Sequence, residues 1–223
     1  MIKMLGRIED FGGCFPFFTY FEGRDGMLGF MRIDDQSDGL IGSESHFLKK
    51  KHGRAAKAFV SGRRCVRALQ KQLDLPEFEL PPGEFGPVWP SDLVGSISHS
   101  RELVAASILR NALGVGIDIE YQRRLRVDAA RRVATREEYS RYSAVPDFDW
   151  TLLFSAKESV FKAFSPLARS YIGFQEVELL LDVATQSFSV RYFGNTVDKG
   201  LIEKAEGHWR ALASHLITIV TVN

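Results

Sequence analysis

Three carboxylates and two lysines carry most of the chemical meaning in this chain. Asp118 and Glu120 end the segment Gly114-Val115-Gly116-Ile117-Asp118-Ile119-Glu120. Glu158 lies 38 residues beyond Glu120, inside Phe154-Ser155-Ala156-Lys157-Glu158-Ser159-Val160-Phe161-Lys162. The first segment is rich in Val and Ile and reads as a strand, so Asp118 and Glu120 share one face with Cβ atoms about 6–7 Å apart. Val115, Ile117 and Ile119 take the other face and anchor it. Two like charges side by side repel unless a cation or basic groups stand between them. A hard divalent ion such as Mg²⁺ suits that place, since it is held by one or two carboxylates together with waters and phosphates. The plainer alternative is a strand end facing water, or pairing with the arginines of Tyr121-Gln122-Arg123-Arg124-Leu125-Arg126.

The second segment reads as an amphipathic helix. On a wheel, Phe154, Ala156, Val160, Phe161, Ala163 and Phe164 fill an apolar arc of roughly 180°. Ser155, Glu158, Ser159 and Lys162 fill a polar arc, with Glu158 and Lys162 adjacent as an i, i+4 pair. Lys157 falls inside the apolar arc, so it either snorkels at the edge or meets an anion in a cleft. Further upstream, Ser98 and His99 end the stretch Gly95-Ser96-Ile97-Ser98-His99-Ser100, and both side chains can donate to a phosphate. Lys49, Lys50, Lys51, His52, Arg54, Lys57, Arg63, Arg64 and Arg67 make one concentrated basic run, which is a solvated face or a polyphosphate contact.

The elements that would hold these groups follow from periodicity. Ser43 or Ser45 is placed to cap a helix, and helical spacing runs from His46 to about Leu73. Residues 75–92 contain five of the eight prolines and read as extended loop. Strands are expected at 94–100, 103–109 and 112–120, the first two joined by Arg101-Glu102 as a hairpin. One basic polar helix is expected over 126–144. A second, capped by Asp147 or Asp149 and ending near Pro166, covers 149–167. From about residue 172 the chain alternates as strands. Strands and helices mix without regular βαβ order, which predicts an α+β fold.

Composition excludes more than it selects. Hydrophobic residues make up 45% and charged residues 26%, and the net charge is +1, so nothing global calls for nucleic acid or a membrane surface. Cys14 and Cys65 lack metal-like spacing and read as free thiols of a reducing compartment. No apolar run reaches the ~18 residues of a membrane span, and the N-terminus does not read as a secretory signal. The expected location is the cytoplasm.

Taken in order and spacing, Gly95–Ser100, Gly114–Glu120 and Phe154–Phe164 resemble the signature of the 4′-phosphopantetheinyl transferases. The form is the long, pseudo-dimeric single chain of the surfactin and enterobactin-synthetase component D type. Phe59-Val60-Ser61-Gly62-Arg63-Arg64 and Gly86-Pro87-Val88-Trp89-Pro90 are similar to the enterobactin subgroup, and the likeness covers about residues 54–178. It implies two similar half-domains, 1–112 and 113–223, each a small mostly antiparallel sheet packed with a long helix, with the active site in the cleft between them. It implies transfer of the 4′-phosphopantetheine arm of coenzyme A to a serine of an apo acyl or peptidyl carrier protein, releasing 3′,5′-ADP. The pathways it points to are nonribosomal peptide or siderophore, polyketide or fatty acid synthesis. By the same resemblance Asp118, Glu120 and Glu158 gather Mg²⁺ (Mn²⁺ as substitute). Arg63, Ser98, His99, Lys157, Lys162 and Asp118 contact coenzyme A, and Glu158 and Lys162 are catalytic. It also implies a monomer, with the carrier site near 121–145. The chain departs from the pattern where Glu84 and Phe85 stand before Gly86 in place of a basic phosphate contact, which Arg54 or Lys57 would have to supply. The readings set against this one are another Mg²⁺-dependent nucleotide or phosphate enzyme, and a non-catalytic coenzyme A or carrier-binding module.

Overall fold

The computed structural model describes residues 16–21, 23–36 and 38–223; Cys14, read from the sequence as a free thiol, lies outside them. The chain divides into two compact units that meet in sequence at Ala112–Leu113. Both are antiparallel sheets carrying one long helix, which bears out the α+β expectation.

In the first unit the sheet order is β1-β2-β6-β5, from Phe17–Tyr20 (β1), Gly26–Arg32 (β2), Leu93–Ser100 (β5) and Leu103–Arg110 (β6). The β5–β6 hairpin turns at Arg101-Glu102 with Arg101 left-handed, φ 46°, which gives the tight reversal the twist of its strands requires. The expected 46–73 helix is two helices, Glu44–Leu48 (α1) and Gly53–Gln72 (α2). The break comes at Lys49–His52, and His52 is extended at the start of α2. The apolar side of α2 lies on β2 and β6, with Cys65, Val66 and Leu69 packed against Met27, Val104 and Ile108. Burial pushes the Cys65 thiol up to about 12, so this cysteine is an inert part of the core. The proline-rich loop contains a two-residue ribbon, Pro82–Gly83 (β3) with Gly86–Pro87 (β4).

In the second unit the order is β7-β11-β10-β9-β8, from Gly114–Tyr121 (β7), Val177–Asp182 (β8), Ser187–Tyr192 (β9), Glu206–Ala211 (β10) and His215–Val222 (β11). Where the sequence predicts one helix over 126–144, the chain forms Val127–Val133 (α3) and Arg136–Ser143 (α4). Thr135 stops the first and caps the second: its hydroxyl accepts from the Glu138 amide while the Glu138 carboxylate accepts from the Thr135 amide, a reciprocal capping box. The last long helix is Trp150–Ala168 (α5), capped by Asp149, whose side chain accepts from the Thr151 amide. A short helix, Lys199–Glu203 (α6), completes the unit.

α5 lies on β7 and β11, and glycine decides how closely. A Cβ on Gly116 would sit 1.9 Å from the Ser159 carbonyl oxygen, and one on Gly114 2.8 Å from that of Ala163. These glycines share the strand face of Asp118 and Glu120, so they let the helix backbone down onto the carboxylates. Gly116→Ala should therefore cost about 1–3 kcal/mol through forced separation of helix and strand, lowering Tm by several degrees in thermal unfolding. An unchanged Tm would mean that the close approach is not needed.

Candidate active site

β7 is buried on both faces. Val115, Ile117 and Ile119 are buried as expected, and so are Asp118 (4% exposed) and Glu120 (5%), because α5 covers their side. Carboxylates removed from water need compensating partners. Asp118 Oδ1 accepts from Lys162 Nζ at 2.6 Å and Oδ2 from Ser155 Oγ at 2.8 Å. Glu120 pairs with Arg124, one of the arginines that the sequence offered for this purpose. Glu158, one helical turn before Lys162, feels both strand carboxylates. Burial holds its carboxyl above the usual range; Lys162 opposes that shift, while Asp118 and Glu120 add to it. The second unit thus brings together Asp118, Glu120, Glu158 and Lys162, three hard oxygen donors and one ammonium. Among the described residues, no three or more His, Cys, Asp or Glu side chains converge closely enough to ligate a metal by themselves.

Lys157 requires a correction. The expected coenzyme A contact is instead buried, 2% exposed. Its Nζ meets the carbonyl oxygens of Val133 (3.0 Å), Phe174 (2.7 Å) and Val177 (2.7 Å), and the Glu138 carboxylate at 2.6 Å. An ammonium has three protons, and four acceptors already compete for them. Glu138, fully buried, is the matching hub: besides Lys157 and the Thr135 amide it accepts from the Leu179 amide at 2.7 Å. One ion pair therefore ties the end of α3, the start of α4, α5, the 174–176 turn and β8. The apolar arc of the helix wheel holds a lysine because a second buried charge awaits it.

In the first unit Arg63 is buried. Its Nη2 donates to the Leu80 carbonyl at 2.9 Å, its guanidinium stacks 4.5 Å over the Phe59 ring, and its Nε is 3.7 Å from Glu44 with no hydrogen-bond partner. Burial pulls it down to about 10, with Glu44 opposing and Arg67 reinforcing. Arg67 takes the closer contact to Glu44, 2.6 Å. Two buried guanidiniums thus share one fully buried carboxylate. The basic run divides: Lys49, Lys50, Lys51, His52, Arg54 and Lys57 are exposed, Lys57 pairing with Asp35, and Arg64 pairs with Asp34 at 2.6 Å. Ser98 and His99 fall on opposite faces of β5, Ser98 buried and His99 exposed. Both lie at the end of β5, the strand paired with β6.

Sequence reasoning missed Ser155, Thr218, Glu138 and Glu44. The Thr-x-x-Glu spacing of Thr135 and Glu138 was a usable signal; Thr218 and Glu44 carry none, being single polar residues whose partners are distant in sequence.

Comparison with known proteins follows the same division. Residues 114–220 match the family model of the 4′-phosphopantetheinyl transferase superfamily, and residues 39–109 match that of the 4′-phosphopantetheinyl transferase N-terminal domain. The chain is 33% identical over 199 residues to 4′-phosphopantetheinyl transferase Svp of Streptomyces mobaraensis, covering 85% of this chain and 81% of that protein. It is 25% identical over 209 residues to 4′-phosphopantetheinyl transferase PptT of Mycobacterium tuberculosis, covering 87% and 92%. It is 38% identical over 101 residues to enterobactin synthase component D of Salmonella austin, covering 44% and 43%.

The two possible roles of Lys157 separate experimentally. Lys157→Met leaves Glu138 buried and unpaired, so urea unfolding should show a loss of about 3–5 kcal/mol, with much of it recovered in Lys157→Met/Glu138→Gln. Unchanged stability with a raised KM for coenzyme A would restore the phosphate-contact role.

Proposed function

The chain belongs to the 4′-phosphopantetheinyl transferase superfamily, and from that we propose that Asp118, Glu120, Glu158 and Lys162 form the centre at which it transfers the 4′-phosphopantetheine arm of coenzyme A to a carrier-protein serine. The transferase activity itself accords with the named relatives, across both matched regions. They do not favour a non-catalytic binding module. The observation supporting this centre is the gathering of two buried carboxylates, Asp118 and Glu120, with half-buried Glu158 beside one lysine.

The donor set suits Mg²⁺. All three groups are hard oxygen donors, and the upward push that Asp118 and Glu120 exert on Glu158 is what a divalent cation would relieve. Mg²⁺ needs only one or two protein carboxylates when phosphates and waters complete its shell. Asp118, Glu120 and Glu158 would hold it, and when bound it would neutralise the pyrophosphate and the departing 3′,5′-ADP. The serine oxygen of the carrier attacks the pantetheine-bearing phosphorus, and the bond to the bridging oxygen of the pyrophosphate breaks. Glu158 takes the serine proton, directly or through a water. Lys162 is the cation placed to meet the charge of the phosphates, since phosphoryl transfer depends chiefly on positioning and charge. Arg63, and His99 with Ser98, would take further phosphates of coenzyme A. The carrier docks near residues 121–145 in this proposal, and a monomer acting in the cytoplasm suffices. Among the described residues no helix is long and apolar enough to cross a membrane. The enterobactin synthase relatives support a peptidyl carrier of siderophore or nonribosomal peptide synthesis as substrate, with polyketide and fatty acid carriers next.

Incubation with coenzyme A, Mg²⁺ and a panel of apo carriers should add one phosphopantetheine arm to at least one carrier by mass spectrometry, and Asp118→Ala should abolish it. No mass gain on any carrier would overturn the transferase function; full activity in Asp118→Ala would place the metal elsewhere. Glu158→Gln should lose turnover yet gain stability. A carboxyl whose folded pKa is raised contributes most below its unfolded value near 4.5 and increasingly destabilises as pH rises through the folded value. At neutral pH without metal, the amide removes that penalty, so Tm should rise; a fall would mean that the three carboxylates do not repel as described.

A further inference from the structure

Beneath Asp118 lies a set of buried hydroxyls that the proposed chemistry does not touch. Ser155, Ser159 and Thr218 are each fully buried. Ser155 and Ser159 come from the polar arc of α5, and Thr218 from β11, where it stands opposite Asp118 in the strand register. Ser155 Oγ lies 2.8 Å from Asp118 Oδ2 and 2.9 Å from Thr218 Oγ1. Thr218 Oγ1 lies 2.8 Å from the Ser155 carbonyl oxygen, and Ser159 Oγ is 2.7 Å from Thr218 Oγ1 and 3.0 Å from the Thr218 carbonyl oxygen.

The directions of these bonds follow from counting protons. Each hydroxyl has one. A carboxylate paired with Lys162 only accepts, so the Ser155 proton goes to Asp118 Oδ2. The Thr218 hydroxyl donates to the Ser155 carbonyl oxygen and the Ser159 hydroxyl to the Thr218 carbonyl oxygen, with the three hydroxyl oxygens also within hydrogen-bond distance in sequence. Thr218 and Ser159 therefore brace Ser155 from behind while its own proton is given to Asp118.

We infer that Ser155, Thr218 and Ser159 are positioning residues for Asp118, holding Oδ2 in the core so that Oδ1, the oxygen facing Lys162, is the one that exchanges partners with a divalent cation. The assignment rests on the metal role proposed above. Ser155 carries the contact; Thr218 and Ser159 act through it. Without the relay the Asp118 carboxylate rotates about its terminal torsion, which is broad and roughly two-fold, and the cation meets a mobile ligand. Outer-shell partners of metal ligands typically change affinity or activity by about 10–100-fold when removed.

The test is direct Mn²⁺ binding, read by electron paramagnetic resonance in the absence of coenzyme A and carrier, alongside the Tm of the metal-free protein. Ser155→Ala should weaken Mn²⁺ binding by about tenfold or more, Thr218→Val by less, and Thr218→Ser, which retains the hydroxyl, should recover affinity. Ser165→Ala is the control: Ser165 is equally buried on α5, and its hydroxyl has no hydrogen-bond partner; its removal should leave Mn²⁺ affinity unchanged. A structural role alone would lower the metal-free Tm of Ser155→Ala while leaving its Mn²⁺ affinity at the unsubstituted value, and would overturn the assignment. Equal affinity in Thr218→Val and the unsubstituted protein would remove Thr218 from the relay and overturn it as stated. If the unsubstituted protein shows no Mn²⁺ binding that Asp118→Ala abolishes, the metal role falls, and this assignment with it.

Discussion

The second unit is organised around like charges gathered where α5 meets β7, two of them buried and the third half-buried. Asp118 and Glu120 lie on the face of β7 that α5 covers, and Glu158 comes from α5 itself. The helix shields Asp118 and Glu120 from water and leaves Glu158 half-buried, and the fold supplies each with a cation or hydroxyl: Lys162 and Ser155 for Asp118, Arg124 for Glu120, Lys162 again for Glu158. This arrangement is possible only because Gly114 and Gly116 let the helix backbone reach the strand. The glycines, the alternation of β7 and the hydroxyls of α5 all serve one geometric requirement.

A second buried charge pair keeps that helix in register. Glu138 and Lys157 neutralise each other out of water while their remaining hydrogen-bonding capacity goes to main-chain groups of four neighbouring segments. A buried ion pair of this kind does not add stability over an apolar packing of the same volume. Its effect is geometric, since few other arrangements satisfy both charges. Lys157 fixes the rotation of α5 about its axis, and its neighbour Glu158 then faces the carboxylates of β7. Adjacent residues divide the work: Lys157 holds the helix and Glu158 is left for chemistry.

Much of this was legible in the sequence. The alternation of residues 114–120 identified β7, and of the two caps read for α5, Asp147 or Asp149, it is Asp149 that starts it. The conjunction of Asp118, Glu120, Glu158 and Lys162 identified the side chains that the structure gathers. Where the sequence misled, the cause was long-range. Ser155 and Ser159 looked solvated because they share an arc with Glu158 and Lys162; they are buried because the strand opposite presents glycine and a carboxylate. Lys157 looked like an anion contact because its partner, Glu138, was hidden in what read as one polar helix over 126–144. The capping box at Thr135 breaks that helix and turns Glu138 inward.

The proposed centre requires that the three carboxylates hold a divalent cation. Crystals grown with coenzyme A and Mn²⁺ would decide this through the manganese anomalous-difference map. It should contain a peak bonded to oxygens of Asp118, Glu120 and Glu158 and to a phosphate of the coenzyme. A manganese peak bonded to other side chains, with Asp118 still paired to Lys162, would contradict it.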